Sequence, residues 1–280
     1  MKETQTLTTL LGHKITVFRN DHVGDKISRN GLYEKENIEF LLTLMAQISE
    51  PVVLDIGANI GNHTLAFATR AKHVYAFEPI PAIYSLLSAN IAQNNLGNVT
   101  ACNFALSDTG ESATIYMVRN GNFGASSFDK RSEGVEAVTV QKMIGDSFVM
   151  ANAIDKLDLI KIDVEAHEVF VLRGLMQTLR EHLPFITMEW NDPLTIERLS
   201  GSAELQFLFD NYQIHVLGSN FDRGYWLGRP CAFLRRKFTR LFVSRKAVLY
   251  PFNPTRLYKN LLLVPKGRES LLEKIGMQGV

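Results

Sequence analysis

The chain has 280 residues, 46% of them hydrophobic, so it can bury one substantial core, and its 30 Lys+Arg against 29 Asp+Glu give no whole-chain electrostatic case for a particular partner. Cys102 and Cys231 are isolated, with no C-x-x-C pair, which argues against a disulfide framework or a zinc site and is compatible with a reducing cytoplasm. No apolar run is long enough to span a bilayer, and Met1–Leu11 lacks the cationic flank and apolar core of an export signal.

Strand-like and helical patterns alternate along the chain, which predicts βαβ units and a parallel sheet with helices on both faces. Residues 12–20 read as a short extra strand, and Ile38, Leu41, Leu42, Met45 and Ile48 stand at helical spacing, so residues 1–50 are expected to cap the front of a domain spanning 51–280. Within that domain the expected order is strand 52–57, helix 62–69, strand 74–77, helix 81–94 with proline in its first turn, and strand 99–105. An inserted pair, 113–117 and 136–140, flanks a polar loop. Strand 157–164, one helix over 165–181, strand 185–190, helix 202–211 and strands 213–217 and 261–264 complete the expected sheet.

The first core strand ends in Asp55-Ile56-Gly57-Ala58-Asn59-Ile60-Gly61-Asn62, an acid and a glycine turn placed where a helix begins. Gly57 and Gly61 permit close backbone approach, but the turn is not G-x-G-x-x-G and no Gly-Lys-Ser/Thr follows, so a pyrophosphate ligand is disfavoured. The second strand delivers Glu78-Pro79, placed to accept ribose hydroxyls as the acid beyond a dinucleotide turn does. An adenosine ligand without a diphosphate fits both features. S-adenosylmethionine is such a ligand: its cationic methionine end would be attracted by Asp55, where a phosphate would be repelled.

The run Asp55–Thr64, then Phe77-Glu78-Pro79, Ala105-Leu106-Ser107-Asp108 and Lys161-Ile162-Asp163-Val164-Glu165-Ala166-His167-Glu168, with Gly124-Ala125-Ser126-Ser127 upstream of the last, resembles the FkbM family of S-adenosylmethionine-dependent methyltransferases. The likeness covers roughly residues 50–192, and Tyr258–Pro265 resembles that family's closing strand. It implies a Rossmann-like doubly wound α/β methyltransferase sheet, with an N-terminal cap and a basic insertion at 222–260 before the last strand. It also implies cofactor contacts at Asp55, Gly57, Asn59, Gly61, Asn62, Glu78, Ser107 and Asp108, with Asp108 near the adenine. Ala166 stands where the family usually has glycine.

The carboxyl ends of parallel strands are where such sheets bind ligands, so Asp55, Glu78, Asp108, Asp163 and Glu189 are expected to share one rim. Methyl transfer to an alcohol needs a group that takes the hydroxyl proton. Asp163, Glu165 and His167 are the catalytic candidates. His167, expected in the first turn of a helix whose positive end keeps imidazole neutral, competes with Glu165 for the base; these acids are expected on the side opposite the glycine turn. Lys161 reads as a structural ion pair with Asp163. Asp163 with Glu189, Asn191 and Asp192 resembles the oxygen donor set of magnesium-dependent catechol-type methyltransferases, though Asn191-Asp192-Pro193 also reads as a plain turn and magnesium is not favoured. The loop 120–128 is a candidate lid with glycine hinges.

Family resemblance points to a hydroxyl on a sugar, glycan or polyketide-like molecule. Nucleobase methylation is disfavoured because Asp163-Val164-Glu165 replaces the Asn/Asp-Pro-Pro-aromatic turn. The alternatives are an RNA-modifying enzyme and a non-catalytic module that binds glycan or membrane. Arg223–Asn260 holds ten Lys/Arg and no Asp or Glu, with Leu234, Phe238, Leu241, Phe242, Val248 and Leu249 at helical spacing and Arg235, Arg236, Lys237, Arg240 and Lys246 mostly opposite. That pattern suits a helix packed on the core with a solvated basic face, or one docked on an anionic membrane surface. The expected location is cytoplasmic, with this peripheral contact as the variant; oligomeric state is left open.

Overall fold

The computed structural model describes residues 3–117, 126–129, 135–219 and 246–276. A hairpin of β1 (Thr4–Thr8) and β2 (Lys14–Phe18) precedes α1 (His22–Asn30) and α2 (Lys35–Met45). The main sheet opens with β3 (Val52–Ile56), α3 (Asn62–Ala68), β4 (His73–Phe77), α4 (Pro81–Gln93) and β5 (Val99–Cys102). There follow β6 (Ala105–Ser107), β7 (Ala113–Met117), β8 (Glu136–Val140), β9 (Lys142–Ile144) and α5 (Gly145–Ala151). After β10 (Leu159–Ile162) come α6 (Glu168–Gly174), α7 (Met176–His182), β11 (Phe185–Trp190), α8 (Pro193–Leu199) and α9 (Ala203–Asn211). The sequence closes with β12 (Tyr212–Ser219), β13 (Ala247–Pro251), β14 (Tyr258–Pro265) and α10 (Ser270–Lys274).

The eight-stranded sheet runs β13-β12-β14-β11-β10-β3-β4-β5, parallel from β11 to β5 and antiparallel beyond. Its central strands are mostly apolar because both faces are covered, with Asp55 on β3, Lys161 on β10 and Thr187 and Glu189 on β11 as the polar exceptions. Adjacent residues go to opposite cores. Leu54, Ile160 and Ile186 pack with Phe148, Leu172, Leu175 and Leu179 from the α5–α7 layer, while Val53, Leu159 and Phe185 pack with Leu41, Leu44 and Phe67 from α2 and α3. A third cluster joins Ile15, Val17 and Ile27 of the N-terminal elements to Ile60, Ile83 and Ile115. The chain crosses from β3 to β4 on one side and later returns as β10 on the other, so a ligand crevice opens between β3 and β10. No helix among the described residues is long and apolar enough to cross a membrane.

Several expected elements differ. The helix expected over 165–181 is two helices meeting at Leu175, because Asp146 caps the second one through the backbone N–H groups of Gln177 (3.0 Å) and Thr178 (2.9 Å). The third strand ends at Cys102. Beyond it β6 leaves the main sheet and pairs in parallel with β9. Helix α1, absent from the expected order, is capped by Asp21, whose carboxylate accepts from Val23 and Gly24, and is closed by left-handed Gly31. The expected basic helix lies mostly outside the described residues. Its described end corrects the helical spacing, since Val248 and Leu249 sit on edge strand β13, paired with β12.

Candidate active site

Strand β3 ends against the glycine turn, which is bent by residues of positive φ: Gly57 (80°), Asn59 (51°) and Gly61 (96°). The backbone N–H groups of Gly57 and Ala58 both donate to the carbonyl of Phe77 (3.0 and 2.9 Å), tying the turn to the end of β4. Glu78 follows. One carboxylate oxygen accepts from the N–H of Asn59 (3.1 Å) and the other from that of Ile80 (2.8 Å), so its orientation is fixed by backbone on both sides. Burial pushes its carboxyl up to about 7, against the pull of those two N–H donors.

Gly57, Asn59, Asn62 and Glu78 line a cavity of about 280 Å³. Asn62 also holds the N-terminal elements to the site, accepting from the N–H of Tyr33 (3.1 Å) and donating to its carbonyl (3.0 Å). Asp55 is wholly buried behind the turn and is not in the cavity's described wall. One of its oxygens accepts from the Thr64 hydroxyl (2.6 Å), and the other lies 3.4 Å from the Lys161 ammonium. Lys161 also lies 3.3 Å from Asp163. Burial works against that charge, but Asp163 and Asp55 outweigh it and raise the ammonium above its ordinary value.

Ser107 and Asp108 also stand outside the cavity's described wall. The departure of β6 from the sheet leaves Ala105 and Leu106 in the cavity wall and turns Ser107 toward α6, where its hydroxyl is 3.0 Å from His167 Nε2. Asp108 pairs with Arg173 (3.2 Å) instead of facing the cavity.

The acids after β10 do not stand opposite the glycine turn: Gly57 abuts the backbone of Asp163, whose N–H donates to the carbonyl of Ile56 (3.0 Å). Asp163, Glu165 and His167 all line the cavity. Glu165 (φ 51°) and Ala166 (φ 74°) are both left-handed, and His167 precedes α6 as its cap residue instead of lying in its first turn. The His167 ring is packed between Phe128 (4.3 Å between centroids) and Phe170 (4.7 Å). Burial lowers its pKa to about 4, with Lys142 acting in the same direction.

Asp163, Glu165 and Glu189 each bring a carboxylate oxygen within 4.8 Å of the others. Burial, and after it the neighbouring carboxyl groups of Asp163 and Glu165, raise the pKa of the Glu189 carboxyl above the usual range. Of the other expected magnesium donors, Asn191 donates its amide to Glu189 (2.9 Å), and Asp192 caps α8 through the N–H of Leu194 (2.8 Å). Glu165 takes their place in the cluster.

Sequence reasoning missed the part of the wall built by Tyr33 and Lys259. The Lys259 ammonium sits 5.0 Å from the Tyr33 ring centre and 2.6 Å from a carboxylate oxygen of Glu34. Burial would raise the Glu34 carboxyl, but Lys259 and His63 hold it down to about 2. No local signal announces an ion pair between a loop near the start of the chain and its last strand.

A mainly parallel sheet with a glycine turn and a backbone-oriented acid at its switch point is a Rossmann-like α/β architecture of the methyltransferase type. The chain belongs to the FkbM methyltransferase family, whose Methyltransferase FkbM domain matches residues 55–217. Hexuronic acid methyltransferase AglP of Haloferax volcanii is 30% identical over 186 residues, which cover 64% of this chain and 71% of that protein. Methyltransferase sdnD of Sordaria araneosa is 26% identical over 199 residues, covering 60% and 77% respectively. Among solved structures, methyltransferase FkbM of Methylobacillus flagellatus superposes with a TM-score of 0.43 at 18% identity, over 77% of this chain and 43% of that one.

Proposed function

We propose that the protein transfers a methyl group from S-adenosylmethionine to a hydroxyl of a sugar, glycan or polyketide-like acceptor. The observation that carries this reading is one cavity lined together by the glycine turn, Glu78, Glu165 and Glu189. Glu78 suits the ribose, because its two oxygens are already aimed by backbone donors and keep lone pairs for hydroxyls. Gly57 lines the cavity, whereas Gly61 lies outside its described wall and makes room for Leu87. Asp55 acts from behind by fixing Lys161 and Thr64. The name of the hexuronic acid methyltransferase relative supports a sugar acceptor.

The sulfonium of the cofactor supplies an activated methyl, which leaves the protein to orient the acceptor and remove its proton. Glu165 is the group proposed for that proton. It lines the cavity with a carboxyl oxygen within 4.8 Å of those of Asp163 and Glu189, while His167 has Nε2 3.0 Å from the Ser107 hydroxyl, the rings of Phe128 and Phe170 packed on it, and a depressed pKa. Accordingly, Glu165→Gln is expected to lower kcat by about a hundredfold. His167→Ala is expected to lower stability by about 1–3 kcal/mol through its lost buried hydrogen bond, with kcat of the folded enzyme falling by less than about tenfold. Steady-state kinetics beside thermal melts separate the two, and the opposite ranking would return the base to His167.

Turnover is expected to be the same in excess chelator as with added magnesium, since of the expected donors Asn191 turns its amide NH2 onto Glu189 and Asp192 is engaged as a helix cap. Activity lost on chelation and restored by magnesium would assign the cluster to a metal. The reading as a whole is tested by supplying labelled S-adenosylmethionine with a cell extract. Label is expected in the glycan or small-molecule fraction, in a form stable to mild alkali as an ether is. Label in RNA, or in no fraction, would overturn it.

A further inference from the structure

We infer that Arg198 and Ser127 are positioning residues that clamp the strained turn presenting Glu165 to the cavity. The turn places two consecutive non-glycine residues, Glu165 and Ala166, in left-handed backbone, at φ 51° and 74°. L-residues adopt that region at a cost, so neighbouring contacts must hold it. Both carbonyls of the turn are held from outside. The Ser127 hydroxyl donates to the carbonyl of Glu165 (2.8 Å), and Arg198 Nη1 donates to that of Ala166 (2.7 Å).

Arg198 is itself fixed in place. Its guanidinium forks onto Asp129, Nη1 to one carboxylate oxygen (2.9 Å) and Nη2 to the other (2.7 Å), and lies 5.6 Å from the centre of the Phe170 ring that packs on His167. The N–H of Asp129 in turn donates to Ser127 Oγ (3.2 Å). One planar side chain from the end of α8 therefore joins the 126–129 segment to the turn. A lysine, with a single ammonium, cannot hold both carboxylate oxygens and the carbonyl in that geometry.

This inference rests on the role given to Glu165 above, and it makes a specific genetic prediction. If the work of Arg198 is to hold Ala166 left-handed, glycine at 166, which takes up that conformation without a Cβ penalty, should substitute for the clamp. The experiment compares wild type, Arg198→Gln, Ser127→Ala and Arg198→Gln with Ala166→Gly. Methyl transfer is followed from labelled S-adenosylmethionine to the extract fraction that wild type labels, alongside amide hydrogen exchange over Val164–Glu168 and melting temperature.

Arg198→Gln is expected to lower kcat by about tenfold with KM for S-adenosylmethionine changed by less than about twofold, and to speed exchange in the turn by about tenfold. Ser127→Ala should do the same more weakly, and Ala166→Gly should restore the Arg198→Gln enzyme to within about threefold of wild type. Wild-type turnover and exchange in Arg198→Gln, or a loss that Ala166→Gly leaves in place, would overturn the inference. So would losses that merely follow the melting temperature. Should wild type label no fraction, the proposed acceptor class fails, and exchange with its rescue still decides the clamp.

Discussion

Replacing Gly57 by alanine is expected to abolish cofactor binding and to destabilise the fold by about 3 kcal/mol or more. A side chain there is strained by the backbone alone, since φ is 80°. The larger effect is steric: the new methyl would collide with the carbonyl of Asp163. That carbonyl cannot swing away cheaply, because the N–H of its own residue is bound to Ile56 (3.0 Å) and Lys161 and Asp55 face each other in the parallel register just before. The ends of β3 and β10 would have to separate where the ligand crevice begins. Gly97→Ala is the control, having nothing within 4 Å of the added methyl, and should fall within about 0.5 kcal/mol of wild type. Chemical denaturation of both variants decides it, and equal stability of the two would contradict the close approach.

Lys161→Met is expected to cost about 3–5 kcal/mol, the scale of removing one partner from a buried charge cluster. Asp55 is wholly buried, and the oxygen facing Lys161 makes no hydrogen bond, so it depends on the ammonium 3.4 Å away. Asp163 would lose the same partner, at 3.3 Å. The cluster raises the folded pKa of Lys161 above its ordinary value, so its contribution is complete below that value and is lost only as pH rises through the higher one. The deficit of the variant should therefore be constant across neutral pH. A loss under about 1 kcal/mol would show that water enters the cluster and screens it.

What the sequence disclosed and what it withheld divide by the range of the forces involved. The central strands were legible because burial on two faces leaves an apolar run, and the turn at Gly57–Gly61 was legible because backbone of positive φ selects glycine. Helix α1 carried its own local signals, Asp21 before it and Gly31 after it, which its weak apolar pattern concealed. Asp192-Pro193 reads equally as a turn or as a cap with proline in the first helical turn, and here it starts α8. The break at Leu175 was not legible: Asp146 imposes one part of it from a distant helix, and Gly174 allows the backbone of Ser107 to press close.

Within the site the same division holds. Glu78 announced itself by position after a strand. The direction of Asp55 did not, because Lys161, which turns it inward, comes from a strand far along the chain. Tyr33, Glu34 and Lys259 meet only through the fold. The preference of His167 for Ser107 depends on β6 leaving the main sheet, an event with no residue signature.

The central claim, that the cavity between Glu78 and the β10 turn holds the adenosyl cofactor, is tested most directly by calorimetric titration of wild type and Glu78→Ala with S-adenosylhomocysteine. Wild type should bind one equivalent, and the variant should bind more weakly by about 1.5–3 kcal/mol, the scale of a lost hydrogen bond to a charged group. Equal affinity of the two proteins, or no binding by wild type, would contradict it.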